Sequence, residues 1–284
     1  MYSQLITHLQ RTAFIIAIDC STSMRGLTTL NGKTMRKADA VAIVCNYILD
    51  ELLERATRHN EVRNYYDIAV VGYANKDIVP IIPEYCDRFI PVSELANIAP
   101  KIKEWRLGDN ADDSYSKPDY MLRDWIRPMA QGETPMHTAL TYIYTLLERW
   151  CSKPENQNSF PPIVFNITDG EATDATHDEL IAIGRQIQTT NTNDGNTLLI
   201  NILLSRSTDD ISIIFPSDNE FFSDSEHMMT LFRMSSIMPE CMNPLIEQLT
   251  TDGNRAPYRG TAFNVSPDKL LAILNIGSES INLA

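Results

Sequence analysis

The sequence predicts an α/β domain, doubly wound about a mostly parallel central sheet with one antiparallel edge strand. Three observations predict it. Short, nearly all-apolar runs recur along the chain, as expected for strands buried on both faces. Longer segments with apolar residues at helical spacing lie between them. The two kinds alternate, which favours a parallel sheet covered on both sides.

Residues 13–18, Ala-Phe-Ile-Ile-Ala-Ile, form the first such run, and it stops at Asp19. A polar, glycine-containing loop follows, and then residues 35–58 place Ala38, Val41, Ala42, Cys45, Ile48, Leu49 and Leu52 on one helical face with Glu51, Glu54 and Arg55 opposite. A second buried strand is expected at 67–73, joined by the turn Asn75-Lys76-Asp77 to a strand at 78–82. So short a connection makes a hairpin, and Pro80 suits a sheet edge. Residues 84–127 read as an insertion near the site, with a short helix at 93–103 and a polar segment at 108–119. A helix at 138–150, a strand at 163–168 ending at Asp169, a helix at 178–190 and a strand at 198–204 continue the alternation. A helical stretch at 228–249 interrupted near Pro239, a strand at 261–265 and a helix at 267–276 close it. No low-complexity linker or internal repeat divides the chain, so residues 1–284 are expected to form one domain with its core at 11–278.

Composition narrows the function. The 284 residues are 43% hydrophobic, enough for a sizeable core, and 24 Lys plus Arg against 37 Asp plus Glu give a formal charge of -13. Phosphate backbones and anionic lipids are repelled by such a surface, which argues against nucleic acid as a partner. The five cysteines, Cys20, Cys45, Cys86, Cys151 and Cys241, are scattered and include no C-x-x-C pair, so they read as reduced thiols. Neither a signal-peptide pattern nor a membrane span is visible, and a cytoplasmic location is expected.

In open α/β sheets ligands gather beyond the carboxyl ends of the strands. Three polar segments fall there: Asp19-Cys20-Ser21-Thr22-Ser23, Gly132-Glu133-Thr134-Pro135, and Thr168-Asp169-Gly170. Residues 19, 21 and 23 alternate along an extended strand end and can project to one side. Together the segments offer carboxylates and hydroxyls, a set of hard oxygens suited to Mg²⁺, with Mn²⁺ and Ca²⁺ as alternatives, and unsuited to zinc or copper. Each position taken alone also has an ordinary reading as a turn or cap residue, and Thr134-Pro135 reads as an N-cap followed by proline at the first helical position. His137, Cys20, the acidic pair Asp112 and Asp113, and the methionines at 228, 229, 234 and 238 are read as packing, solvated or core residues.

In their order along the chain, Asp19, Ser21, Ser23, Thr134 and Asp169 resemble the metal-ion-dependent adhesion site of the von Willebrand factor A family: D-x-S-x-S, a later Thr in G-x-T-P, and a later Asp in T-D-G. The resemblance implies a Rossmann-like fold in which Ser21, Ser23 and Thr134 touch a divalent ion, while Asp19 and Asp169 act directly or through water. It implies an open position on the ion for an Asp or Glu of a partner protein, and hence binding with no turnover. Glu133 stands where the family often has glycine, and Ala172 where proline is common. Residues 205–217 and 231–236 are similar to stand-alone bacterial members found beside tellurium-resistance or stress-response proteins and Ser/Thr kinases and phosphatases. Two other functions compete. A haloacid-dehalogenase-like phosphatase would use Asp19 as nucleophile, but needs a second Asp where Ser21 stands. A scaffold with a vestigial metal site would bind through 84–127.

Overall fold

The computed structural model describes residues 2–82, 88–98, 101–105, 120–205, 211–250 and 255–279. The polar segment expected at 108–119 lies outside the described residues. In chain order the elements are β1 (Thr12–Asp19), β2 (Leu27–Leu30), β3 (Lys33–Arg36), α1 (Lys37–Ala56), β4 (Thr57–Arg58), β5 (Glu61–Val62), β6 (Tyr66–Ala74), β7 (Asp77–Val79), β8 (Ile90–Pro91), α2 (Val92–Asn97), β9 (Lys101–Trp105) and β10 (Tyr120–Asp124). They continue with α3 (Met136–Cys151), β11 (Ile163–Thr168), α4 (His177–Thr189), β12 (Asn191–Thr192), β13 (Gly195–Asn196), β14 (Leu198–Leu204), β15 (Ile213–Ile214), α5 (Glu226–Met234), α6 (Asn243–Ile246), β16 (Thr261–Val265) and α7 (Pro267–Glu279). Among the described residues, no helix is long and apolar enough to cross a membrane.

The main sheet runs β15-β16-β14-β11-β1-β6-β7, and its five inner strands are parallel. Every residue of β1, β6, β11 and β14 is buried, which is why these segments carry almost nothing but apolar side chains. Alternate residues of β1 face opposite layers. Phe14, Ile16 and Ile18 pack with α1 and α7, whereas Ile15 and Ala17 pack with α3, α4 and α5. The two layers make the sheet doubly wound.

Five sequence expectations change. The single antiparallel edge strand becomes three short ones: β7 and β8 both pair with β6 at one end of the sheet, and the two-residue β15 pairs with β16 at the other. β7 ends before Pro80, which has no N–H for the ladder. The helix expected at 93–103 stops at Asn97, and residues 101–105 instead pair antiparallel with β10. The helical stretch expected at 228–249 ends at Met234. There the chain turns extended at Ser235 and Ile237 bridges Arg259, before a 3₁₀ turn and the short α6. Finally, the loop after the first strand contains the hairpin β2–β3.

A row of polar side chains crosses the core beneath α3, α4 and α5. Tyr73 on β6 donates its hydroxyl to Asn166 Oδ1 on β11 at 2.9 Å, passing over β1, where that face carries only the small Ala17. Asn166 Nδ2 donates to Asn201 Oδ1 on β14 at 2.9 Å, Asn201 Nδ2 donates to Ser235 Oγ at 2.7 Å, and Ser235 Oγ donates to the carbonyl of Leu231 in α5 at 2.7 Å. All four residues are fully buried, and each polar group in the row has a partner.

From β1 the chain passes to β6 on one side and then returns, through α3, to β11 on the other side of β1. The loops leaving β1 and β11 therefore diverge, and the crevice between them is where an open α/β sheet accepts a ligand.

Candidate metal centre

Asp19 is the last residue of β1, held in parallel register opposite Tyr73 of β6. Its Oδ1 accepts the N–H of Ser21 at 2.8 Å and its Oδ2 accepts the Thr168 hydroxyl at 2.7 Å, so the carboxylate closes a tight turn and reaches across to the end of β11. Ser21 opens the 3₁₀ turn Thr22–Arg25 without its side chain capping it. That leaves Ser21 Oγ to meet Ser23 Oγ at 2.8 Å. Ser23 Oγ donates to Asp169 Oδ1 at 2.5 Å, and Asp169 Oδ2 accepts the ammonium of Lys37 at 3.0 Å. One continuous chain of contacts thus runs from Lys37 through Asp169, Ser23, Ser21 and Asp19 to Thr168. Asp19, Ser21 and Asp169 are buried, while Ser23 is exposed and opens the cluster to solvent.

Thr134 belongs to the loop between these two strand ends. The carbonyl of Cys20 accepts from the Gln131 N–H at 2.7 Å, the Thr22 N–H donates to the carbonyl of Gly132 at 3.0 Å, and the Asn75 N–H donates to the carbonyl of Glu133 at 3.1 Å. On its far side the N–H of Thr134 donates to Thr173 Oγ1 at 3.1 Å, and its carbonyl accepts the Thr173 N–H at 3.0 Å. Thr134 is therefore sewn between the first and third polar segments. Gly132 makes the approach possible: its φ is +73, and a Cβ there would lie 1.8 Å from Asn75 Oδ1.

The reading of Thr134 as the cap of the following helix is corrected by this geometry. α3 begins at Met136 behind Pro135, and no side chain at that N-cap position bonds the helix. The free N–H groups are satisfied by Asp174, whose Oδ1 accepts from His137 N at 3.1 Å and whose Oδ2 accepts from Thr138 N at 2.9 Å. With capping done by a residue beyond β11, the Thr134 hydroxyl has no hydrogen-bond partner among the described residues and is left for another use. Glu133 is exposed, and His137 takes part here only through its main chain.

Four of the five sequence-marked residues thus join one hydrogen-bonded chain, and the fifth lies on the loop threaded between its halves. Sequence reasoning did not single out Lys37, Thr168, Thr173 or Asp174 as site residues. Thr168 opens the T-D-G segment, Asp174 follows it, and both carry side-chain types that cap and close turns. Lys37 offered no such signal, because only the fold brings the start of α1 to Asp169.

Burial raises the Asp19 carboxyl to about 6, against the hydrogen bonds from Ser21 and Thr168 that favour its charged form, and the nearby Asp169 adds to the rise. Burial, and then the Asp19 charge, push the Cys20 thiol up to about 12, so it stays protonated and is no nucleophile at neutral pH. Among the described residues no three His, Cys, Asp or Glu side chains group as ligands. A cation at this crevice would depend on the serine and threonine hydroxyls. Two carboxylates and three hydroxyls form a hard-oxygen donor set that fits Mg²⁺ or a similar ion.

No family model matches the chain, and no curated protein matches it. Among solved structures the chain is similar to von Willebrand factor type A from Catenulispora acidiphila, at 16% identity with a TM-score of 0.41, over 69% of this chain and 34% of that one. It is similar to the vWF domain of the type V pili tip protein Mfa5 from Porphyromonas gingivalis, at 11% identity and a TM-score of 0.32, over 95% of this chain and 77% of that one. A third likeness is to an uncharacterized membrane spanning protein from Vibrio fischeri, at 12% identity and a TM-score of 0.27, over 69% of this chain and 72% of that one.

Proposed function

We propose that this chain is a von Willebrand factor A-type domain that binds a partner protein through a divalent metal ion at the end of β1. The observation that carries this reading is the contact chain joining Asp19, Ser21, Ser23 and Asp169 at the switch point of the sheet, with the Thr134 loop hydrogen-bonded to the segments on both sides. Ser21, Ser23 and Thr134 would supply hydroxyl oxygens, and Asp19 and Asp169 carboxylates. Mg²⁺ suits a site with few charged ligands, because it retains several waters. Once bound, the ion supplies an electrophilic position for an Asp or Glu carboxylate of the partner. The chain's own residues hold the ion, and exposed Ser23 marks the side from which a partner would approach.

Turnover is not part of this function. Cys20 is buried with its thiol raised to about 12, and Ser21 stands where a haloacid-dehalogenase-like phosphatase needs its second Asp. The setting we favour is a bacterial cytoplasmic adaptor in a stress-response, tellurium-resistance or Ser/Thr phosphorylation system. The test is a pull-down from cell lysate in Mg²⁺ and in EDTA with wild type, Asp19→Ala and Ser23→Ala, retained proteins being identified by mass spectrometry. The proposal expects a partner held only by wild type and only with metal. Equal retention in every arm would refute it.

A further inference from the structure

Lys37 is the first residue of α1, and its ammonium is buried against Asp169, with side-chain exposures of 8% and 1% for the pair. Lysine is among the residues least often buried, and only with a partner. A positive charge in the first turn of a helix also works against the helix dipole. Helix stability therefore gives no reason for a lysine here. The position is nonetheless tightly held: the Lys37 N–H donates to the carbonyl of Gly26 at 2.8 Å, and a Cβ on Gly26 would lie 3.6 Å from Lys37 Cε. The loop after β1 and the Asp169 carboxylate grip the side chain from two sides.

We infer that Lys37 is a tethered cation that competes with the divalent ion for Asp169 and so sets the metal affinity of the site; this rests on the metal-binding reading above. Its second consequence concerns the loaded site. Asp19 and Asp169 bring two negative charges and Lys37 one positive, so a divalent ion leaves one net positive charge, where without Lys37 the charges would cancel. Lys37 thus weakens capture of the ion and strengthens the attraction of the loaded site for a carboxylate. It is a positioning and affinity-setting residue and need not touch the partner.

The test is Mn²⁺ binding by calorimetry, with electron paramagnetic resonance counting the bound ion, on wild type, Lys37→Met, Lys37→Gln and Lys37→Arg, each checked for folding by circular dichroism. Removing the charge in Met or Gln is expected to tighten Mn²⁺ binding about tenfold or more, while Arg keeps it near wild type. Two neutral variants of different shape keep the result readable if one folds poorly. Binding by the neutral variants that is unchanged or weaker than in a wild type that takes the ion overturns the inference and leaves the metal reading standing. No Mn²⁺ on any of the four proteins overturns both.

Discussion

Replacing Asp19 with Asn is expected to stabilise the metal-free protein at neutral pH and to lose that advantage in acid. Burial lifts the Asp19 carboxyl from an ordinary 3.8 to about 6. Between those values the folded protein holds a proton that the unfolded chain releases, so wild-type stability falls as pH rises through the window and levels off above it. A rise of about two units corresponds to roughly 3 kcal/mol, the cost of keeping the buried carboxylate charged at pH 7. Asn carries no such cost. Its Oδ1 can accept the Ser21 N–H, and its amide can donate to Thr168 Oγ1, whose own proton has a second acceptor in the Gly170 carbonyl at 3.0 Å. Allowing for imperfect geometry, about 1.5–3 kcal/mol of stabilisation is expected at pH 7, or roughly 2–5 °C in Tm for a chain of this length. The assay is urea denaturation of both proteins in EDTA at pH 4, 5, 6 and 7. A stability difference that stays constant across this range would refute the reasoning, because the effect must vanish where wild-type Asp19 is protonated in both states. Mg²⁺ at a hundred times its Kd should restore about 2.7 kcal/mol to wild type and nothing comparable to the Asn variant.

Three further outcomes are expected. Asn166→Ala strands the Asn201 side-chain carbonyl in the core, leaves the Tyr73 hydroxyl only the Ile167 carbonyl at 3.4 Å, and should cost about 1–3 kcal/mol by chemical denaturation. Gly132→Ala must leave a positive-φ conformation and move Asn75, so Mn²⁺ affinity measured by calorimetry should fall several-fold, with partial recovery in the double variant that also carries Asn75→Gly. Alkylation of native protein at pH 8, mapped by peptide mass spectrometry, should label exposed Cys241 before Cys20 and Cys45, whose thiols are raised by burial.

Most of the sheet was legible because its central strands are buried on both faces, and such strands read as unbroken apolar runs whatever their neighbours are. Asp19 and Asp169 stand out in the sequence because each directly ends such a run. What escaped was decided by tertiary contact. β15 contributes two residues, too few for any periodicity, and α5 stops because Ser235 joins the buried polar row and Ile237 bridges Arg259. The β2–β3 hairpin did carry a sequence signal. Its turn is Asn31-Gly32, both at positive φ of 48 and 75, the pairing that two-residue hairpin turns favour, and the polarity of the flanking residues hid it. Lys37 escaped because its charge was absorbed into the polar face of a helix that otherwise obeys its apolar spacing.

The polar row from Tyr73 to Ser235 bears on how the chain chooses this fold over its near relatives. Strands β1, β6, β11 and β14 are rich in interchangeable Val, Ile, Leu and Ala, and packing alone discriminates weakly between their possible orders and alignments. Asn166 and Asn201 sit directly opposite each other in the β11–β14 alignment. A one-residue slip would send one amide to the opposite face, and exchanging either strand with another would seal it in hydrocarbon without a partner. The two asparagines act as address labels in an otherwise anonymous core: they guard the β11–β14 alignment, while the Tyr73–Asn166 hydrogen bond, passing over β1, ties the end of β6 to β11.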